Sequence, residues 1–290
     1  MEDDVVELSL SQAVNLTNTT FIRASVQNRI EENNLDGPPV ELVQFHVLIH
    51  CTAGSGRHMV DFEDYEMSPG TTVWIRPGQV QRWSDTYGSF DADVVVFESS
   101  SVPDLPAFER LKPTTVVEMS EQDAARLRQQ LDWMAADLEA HHDHDTAAAV
   151  VRVVLRLFAR HAHRAEQQPD TPALRLTTAF LESVDNNVEQ RSVAWHARQV
   201  GASTRSIGRA TADNLGQRPK ALIDARVVLE AQRQLAWSTE DIATIARRLR
   251  FSEPSNFTKF FHSHTGTSPS AFREAVAQLQ PGPPGVDSRI

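Results

Sequence analysis

The sequence predicts an α+β fold, in which an antiparallel β-barrel with a helical pair precedes an all-helical domain. Three observations predict it. Residues 41–100 form short alternating apolar segments separated by turn-forming residues, the apolar period changes from two to about 3.6 after Ser120, and one short arrangement of helices occurs twice in the last third. A length of 290 residues suits two domains, each large enough to bury a core.

The β segment shows the alternation of a half-buried strand. One face carries Val43, Phe45, Val47, Ile49 and Cys51, and the other carries Gln44, His46, Leu48 and His50. Turn-forming residues at 53–56, 68–70 and 77–78 separate this strand from those that follow. The later strands are expected through His58, Val60 and Phe62, over 71–76, and over 94–97. Short strands at this spacing predict a small barrel or sandwich.

A helical pair follows, at about 120–140 and 145–165, because apolar residues return every three or four positions. The stripes are Leu127, Leu131, Met134 and Leu138, and then Val150, Val151, Val154, Leu155 and Phe158. His141, His142 and His144 lie between the helices. Such a cluster has the side chains for a metal site, but it also suits a solvated turn, and we expect the turn.

Residues 166–172 are polar, contain prolines and lack apolar spacing, so we expect a linker there between a domain of residues 1–165 and one of residues 173–279. Residues 280–290 include four Pro and Gly positions in a row after Pro281 and are expected to form a flexible tail. The chain starts with acidic residues and has no apolar run near the roughly 18 residues of a membrane helix, which predicts a cytoplasmic protein.

The charge differs between the two domains. The whole chain has a formal charge of −11, yet residues 171–279 carry 14 Lys and Arg against 10 Asp and Glu. This asymmetry indicates that the second domain meets a polyanion. Cys51 is the only cysteine, which excludes an internal disulfide and a cysteine-based zinc site.

The repeated arrangement lies at residues 193–203 and 241–252. Each copy is a short helix and a tight turn, followed by a serine expected to cap the next helix, Ser203 in the first and Ser252 in the second. A long helix near 219–236 separates them. Short helix, turn and capped helix is the helix-turn-helix arrangement, whose second helix enters the major groove of DNA.

Outward side chains support this interpretation. Arg205 and Arg209 lie four positions apart on one exposed face, and Ser255 and Lys259 do the same in the second copy. A plain helical bundle with solvated arginines is the alternative. The helices of this domain are predicted near 173–186, 192–199, 203–213, 219–236, 240–248, 253–264 and 268–279.

A specific ordered series of residues lies within positions 194–273. The series is Ile242-Ala243, Ile245-Ala246, Phe251-Ser252, Asn256-Phe257, Phe260-Phe261, Thr265-Gly266, Ser268-Pro269 and Phe272-Arg273. In this it resembles the DNA-binding domain of the AraC/XylS-type (arabinose-regulator-like) transcriptional regulators. The resemblance implies two helix-turn-helix units joined by one long helix, with base contacts from the second helix of each.

Carried over by position, the base-facing candidates are Arg205, Gly208 and Arg209 in the first unit, and Pro254, Ser255 and Lys259 in the second. Gly208 and Pro254 offer no side-chain donor, so base readout is expected from Arg205, Arg209 and Lys259. Arg250 stands where the family usually has glycine. A left-handed turn there would cost a non-glycine residue about 1–2 kcal/mol.

Residues 44–100 resemble the cupin-like sensor domain that many of these regulators carry. The resemblance lies in residues 54–58, 67–70 and 76–83. A catalytic cupin binds a metal through a His-x-His pair, a carboxylate and a later histidine. Here His58 alone fits the pair and Gln81 occupies the last position, so we expect no metal, no cofactor and no enzyme activity. A small effector is expected in the barrel mouth. The candidate effector-binding residues are His58, Trp74, Arg76, Gln81 and Trp83.

The expected function is therefore a sequence-specific transcriptional regulator of promoter DNA, an effector-responsive activator that acts with RNA polymerase. The resemblance also implies a homodimer formed through the helical pair at 120–165. Two alternatives remain open. One is a cupin-type metal-dependent enzyme with a helical appendage, and the other is a regulator without a small-molecule effector, whose first domain only dimerises or meets another protein.

Overall fold

The computed structural model describes residues 20–25, 40–84, 90–102, 115–165 and 171–278, and for residues 20–25, 83–84 and 163–165 it describes the backbone alone. The chain divides into two compact units between residues 167 and 168. The predicted tail of residues 280–290 and residues 166–170 of the predicted linker lie outside the described residues. Pro172, the last residue of that linker, is instead the first residue of a helix.

The described part of the first unit contains nine strands in two sheets. They are β1 Thr20–Ser25, β2 Glu41–Leu42, β3 His46–Gly54, β4 Gly56–Val60, β5 Glu63–Met67, β6 Thr71–Ile75, β7 Val80–Ser84, β8 Phe90–Phe97 and β9 Val116–Glu118. The first sheet has the order β1-β8-β3-β6-β9 and the second has the order β2-β7-β4-β5. The ladders described for these strands are all antiparallel, as the alternating sequence predicts.

Strand β3 explains how the sheets are covered. Val47 and Ile49 belong to an apolar core that also contains Val60 of β4 and Met67 of β5, so this core lies between the two sheets. Leu48 points to the opposite face of β3 and belongs to a second core, built with the helical pair. Both faces of the first sheet are therefore buried, and the fold is a cupin-like β unit with helices packed on one side.

Some strand boundaries were predicted wrongly. The strand expected through Phe62 ends at Val60, because Asp61 and Phe62 have φ values of 51° and 68° and form a turn. The Asp61 carboxylate fixes that turn by accepting hydrogen bonds from the Val80 amide, at 3.1 Å, and the Gln79 side chain, at 2.6 Å. Strands β1, β2, β5, β7 and β9 were not predicted.

The helical pair is confirmed as α1 Glu121–His141 and α2 His144–Ala165. Their inward residues include the predicted stripe positions Leu127, Leu131 and Phe158, all of which are buried. The turn between the helices is closed by His142, whose φ is 54° and whose ring Nδ1 donates to the Leu138 carbonyl at 2.8 Å. Among the described residues no group of three or more His, Cys, Asp or Glu side chains is arranged to hold a metal ion.

A buried hydrogen bond joins the two helices of this pair. His161 Nε2 of α2 lies 2.9 Å from Asp123 Oδ2 of α1, and both side chains are almost fully buried. The hydrogen bond from His161 holds the pKa of Asp123 below its ordinary value. Arg126 and Arg160 also approach the same carboxylate, so two guanidinium groups compensate its charge.

The second unit is helical, and its seven predicted helices are confirmed to within two residues at each end. They are α3 Pro172–Asp185, α4 Val193–Gln199, α5 Thr204–Leu215, α6 Pro219–Trp237, α7 Ile242–Arg248, α8 Pro254–Thr265 and α9 Pro269–Gln278. In the described residues of the chain no helix has the length and apolar character needed to span a membrane.

Helix α6 is the centre of this unit. Ile223, Val227 and Leu235 are fully buried in one core that also contains Ile207 of α5 and Phe257 of α8. Leu222 packs against that core, whereas Leu229 of the same helix does not belong to it. Helix α6 contacts α3, α4, α5, α7, α8 and α9. Residues of α4 and α5 and residues of α7 and α8 belong to the same core. Packing therefore fixes the position of the pair α4–α5 relative to the pair α7–α8.

Candidate DNA-binding interface

The sequence repeat is a structural repeat. Helices α4 and α7 have 7 residues each, and the helices that follow them, α5 and α8, have 12 each. The connecting turns match closely. The Ala202 amide donates to Ala197 O at 2.8 Å in the first turn, and the Phe251 amide donates to Ala246 O at 2.9 Å in the second.

Both turns contain one residue in the left-handed backbone conformation. Gly201 has φ 65° and Arg250 has φ 53°. Glycine adopts this conformation without a steric cost, whereas arginine does not. The second helix-turn-helix unit therefore keeps the turn geometry of the first, although it has arginine where the family usually has glycine.

The cap prediction is confirmed for the first unit and wrong for the second. Ser203 is the N-cap of α5, and its hydroxyl accepts the Ser206 amide at 3.0 Å. Helix α8 is capped by Glu253, without a side-chain hydrogen bond, and Ser252 instead accepts from the Asn256 side chain. Pro254 explains the difference, because proline favours the first helical position and forces an extended conformation on the residue before it.

This shift changes the register of the two units. Gly201 and Arg250 are 49 positions apart, but Gly216 and Gly266, which end α5 and α8, are 50 apart. In the second helix of each pair, α5 and α8, which we call the recognition helices, the equivalent residues are therefore those separated by 50 positions. On that basis Arg205 corresponds to Ser255, and Arg209 corresponds to Lys259.

The predicted base-facing residues lie on the outside of the unit. Arg205 and Arg209 are exposed on α5, while Ile207 between them is fully buried. Ser255 and Lys259 are exposed on α8, opposite the fully buried Phe257. Pro254 is also exposed and Gly208 is half-buried. The alternation of buried and exposed positions gives each helix one apolar face and one polar outer face.

The three cations are electrostatically available. Across the described residues, no carboxylate lies within ion-pair distance of Arg205, Arg209 or Lys259. Other cations of the unit are engaged. Arg226 lies 2.7 Å from Asp185 and Lys220 pairs with Asp224. Uncompensated cations on a protruding helix face can neutralise phosphate charge or bind base edges.

The chemistry of the two faces differs. Arg205 and Arg209 offer planar donor groups, which pair bidentately with guanine. In α8 the Ser255 hydroxyl donates to the Glu253 carboxylate at 3.2 Å, so its lone pairs remain to accept from a base amino group. The two arginines of α5 therefore act only as donors, whereas Ser255 of α8 can also accept.

Sequence reasoning missed Thr258 and His262 on α8, which are both exposed. His262 is seven positions beyond Ser255 and three beyond Lys259, so helical spacing places it on the same face. That spacing was the signal that could have found it. Thr258 is the equivalent of Gly208 in the corrected register, which only the structure reveals.

In the β unit, the structure brings His58 and Gln81 of the predicted effector-binding residues together and places Trp74 and Arg76 apart from them, on the helix side of the first sheet. His58 and Gln81 are fully buried on neighbouring strands β4 and β7. Trp74 belongs to the core on the helix side of the first sheet, and the Arg76 guanidinium lies 4.2 Å from the centre of its ring. The side chain of Trp83 lies outside the described residues. Successive side chains of β6 point to opposite faces of the sheet, which explains the separation. Val73 and Ile75 point into the core between the sheets, so Trp74 points to the other face.

A hydrogen-bonded chain leads from the interior of the β unit to half-buried Glu41. His58 Nε2 lies 3.2 Å from Gln81 Oε1, and Gln81 Nε2 donates to Glu41 Oε2 at 3.3 Å. Burial lowers the pKa of His58 to about 4, against the opposing effect of the Gln81 hydrogen bond. His58 is therefore neutral at physiological pH, and it donates from Nε2 to Gln81.

Two family descriptions match the chain. "AraC-like ligand binding domain" matches residues 38–154 and "Helix-turn-helix domain" matches residues 196–275, so together they include more than half of the sequence. The first falls on the β unit and its helical pair. The second begins within α4 and ends within α9, and therefore includes both helix pairs described above.

Curated relatives match over most of the chain. The HTH-type transcriptional activator RhaS of Klebsiella pneumoniae (strain 342) is 23% identical over 278 residues, which is 89% of this chain and 96% of that protein. RhaS of Shigella boydii serotype 18 is 22% identical, covering 79% of this chain and 85% of that protein. Among solved structures, ToxT from Vibrio cholerae matches with a TM-score of 0.46 at 10% identity, covering 92% of this chain and all of that one.

Proposed function

This chain belongs to the AraC family of transcriptional regulators, with a ligand-binding domain and a helix-turn-helix DNA-binding domain, and we propose that it reads two DNA half-sites through α5 and α8. Arg205 and Arg209 contact the first half-site, and Ser255 and Lys259 contact the second. Gly208 and Pro254 lie beside them and allow close approach to the duplex.

One observation carries this proposal: the exposed face of α5 and its equivalent on α8 both present cations without ion-pair partners among the described residues. Helix α6 has 19 residues and spans about 28 Å at 1.5 Å per residue. Successive major-groove faces lie about 34 Å apart. With the width of the two helix pairs added, α6 is a suitable spacer.

Alanine substitution on purified full-length protein tests the contacts. Arg205→Ala or Arg209→Ala is expected to weaken binding to a selected duplex and to relax its preference within the first half-site only. Lys259→Ala is expected to do so in the second. Lys220→Ala is the control, because that cation is already paired with Asp224 on α6. Equal effects of all four substitutions would contradict the assignment.

We also propose that the β unit binds a small effector through polar groups of its interior, with His58 and Gln81 as the contacting pair. The match to an AraC-like ligand-binding domain supports this, and so does the buried polar pair. A thermal-shift panel of monosaccharides and small carboxylates tests it, since a ligand raises the melting temperature by mass action.

The effector test has a matched control. Gln81→Leu is expected to abolish the shift, whereas Arg76→Ala, which alters the opposite face of the sheet, is expected to preserve it. If no compound produces a shift, or if Gln81→Leu leaves it intact, the protein is a regulator without an effector at this position. Bound metal and turnover would favour the cupin-type enzyme instead, and we propose that neither is found.

We propose that the protein acts in the cytoplasm as a homodimer and activates transcription with RNA polymerase. The names of its relatives, which are transcriptional activators, support the activating role. Trp133 of α1 and Val153 of α2 are 53% and 43% exposed, and each lies about ten residues from the turn that joins the helices. Apolar side chains at the same level of a helical pair suit a dimer contact. Trp133→Glu is expected to give monomers in analytical ultracentrifugation, and purified polymerase tests activation in vitro.

A further inference from the structure

The turn at Arg250 is held from outside its own helix pair. Arg191 lies between α3 and α4, two residues before the first helix of the first helix-turn-helix unit. Its Nη2 donates to the Arg250 carbonyl at 3.3 Å, and its guanidinium carbon lies 3.9 Å from the centre of the Phe251 ring. Arg250 and Phe251 are 59 and 60 positions away from Arg191 in sequence. The two contacts therefore join the segment before α4 to the turn between α7 and α8.

The segment that carries Arg191 is itself fixed on both sides. His196, fully buried in α4, donates from Nε2 to the Gln190 carbonyl at 2.6 Å, and its Nδ1 lies 2.9 Å from the Ser183 hydroxyl. Ser192 is the N-cap of α4 and accepts the Trp195 amide. The backbone around Arg191 is therefore fixed, so holding its side chain against Arg250 costs little additional conformational entropy.

Phe251 transmits this contact to the recognition helix. Its ring centre lies 5.2 Å from that of Phe257 and 5.2 Å from that of Phe260, both on α8. Phe251 follows the left-handed Arg250 directly, so a change of that turn would move the ring and the helix packed on it. The equivalent turn of the first unit has Gly201, which needs no such support.

We infer that Arg191 is a positioning residue that holds the strained Arg250 turn and thereby sets the orientation of α8 for the second half-site. A charge-assisted hydrogen bond and a cation on an aromatic face are the two interactions that favour the turn as observed. The inference rests on the proposed reading of DNA by α8. It couples the two helix-turn-helix units through one side chain, in addition to their shared core.

A measurement without DNA tests the clamp itself. In Arg191→Ala, amide hydrogen exchange at Phe251, whose N–H donates to Ala246 O, is expected to rise about tenfold. Exchange at Ala202, the equivalent amide of the first turn, is expected to stay unchanged. Unchanged exchange at Phe251, or an equal rise at both amides, would overturn the inference.

A second measurement tests positioning on DNA. Full-length Arg191→Ala is compared with the unchanged chain on duplexes that keep both half-sites, the first only, or the second only. The variant is expected to lose about tenfold in affinity on the duplexes that contain the second half-site and nothing on the first alone. Its salt dependence is expected to stay unchanged. An equal loss on the first half-site, or a salt slope reduced by about one, would identify a plain phosphate contact and overturn the inference.

A third measurement asks whether Arg250→Gly suppresses the effect of Arg191→Ala. In an Arg250→Gly background the turn needs no external support, so Arg191→Ala is expected to cost less than about threefold on the second half-site. A full tenfold loss in that background would contradict the role. If the unchanged chain selects no duplex at all, the proposed DNA reading fails, whereas the exchange measurement still decides on the clamp.

Discussion

Gly201 and Arg250 occupy the same place in two equivalent turns, with φ 65° and φ 53°. A Cβ built on Gly201 meets nothing within 4 Å, so the space around the turn does not demand glycine. Only the left-handed backbone conformation favours glycine at this position. Substitution at these two positions therefore isolates the backbone cost of a left-handed residue from any packing effect.

Arg250→Gly is expected to stabilise the DNA-binding unit by about 0.5–1 kcal/mol, because the relieved strain of about 1–2 kcal/mol exceeds the entropy cost of glycine. Gly201→Ala is expected to destabilise the same unit by about 1 kcal/mol. Urea unfolding followed by circular dichroism measures both. Effects of the same sign for the two substitutions would show that the turns are not equivalent.

The helix caps predict a second contrast. Ser203→Ala removes the hydroxyl that accepts the Ser206 amide and should cost about 1 kcal/mol. Ser252→Ala should cost less than about 0.5 kcal/mol, because that hydroxyl meets the Asn256 side chain and caps no amide. The same unfolding assay compares them. Equal losses would mean that Ser252 caps α8 after all.

The sequence predicted the helical unit well for a physical reason. Each helix there has its own local signals, such as Thr171 and Asp241 as N-caps and Gly216 and Gly266 at the ends of the recognition helices. The exception is Ser252, where the competing signal of Pro254 moves the helix start by one residue. The exposed face of α8 was consequently only partly predicted.

The β unit was harder to predict because its strands depend on partners. Strand β5, with the sequence Glu-Asp-Tyr-Glu-Met, is mostly exposed and has little apolar alternation, yet it pairs along its length with β4. The expected effector pocket includes Trp74, although helices α1 and α2 bury the face to which it belongs. Sequence alone does not indicate which face of a doubly covered strand meets which layer.

Stability of the β unit is expected to fall with acidification. Burial lowers the pKa of His46, His50 and His58 to about 4 each, below the ordinary value of 6.5. Between these values the unfolded chain binds protons that the folded chain excludes, so stability is complete above about pH 6.5 and is lost as the pH falls toward about 4. Urea unfolding at several pH values measures the slope, and His50→Gln should reduce it by about one proton. A flat profile over this range would contradict the burial argument.

Sequence preference gives a further prediction. Arg209→Ala should relax the preference at one position of the first half-site by about 1–3 kcal/mol of discrimination, since arginine binds guanine O6 and N7 together. Competition binding with single-base variants of the site measures it, with Lys220→Ala as the control. If Arg209→Ala weakens all sequences equally, then Arg209 contacts phosphate and not a base.

The most direct test of two-site reading is selection of bound duplexes from a random pool by the full-length protein. Reading through both α5 and α8 predicts two enriched blocks of sequence whose centres lie about one helical turn, roughly 10–10.5 base pairs, apart. It also predicts that Arg205→Ala with Arg209→Ala erases one block and leaves the other. A single block, or two blocks that the paired substitution affects alike, would contradict it.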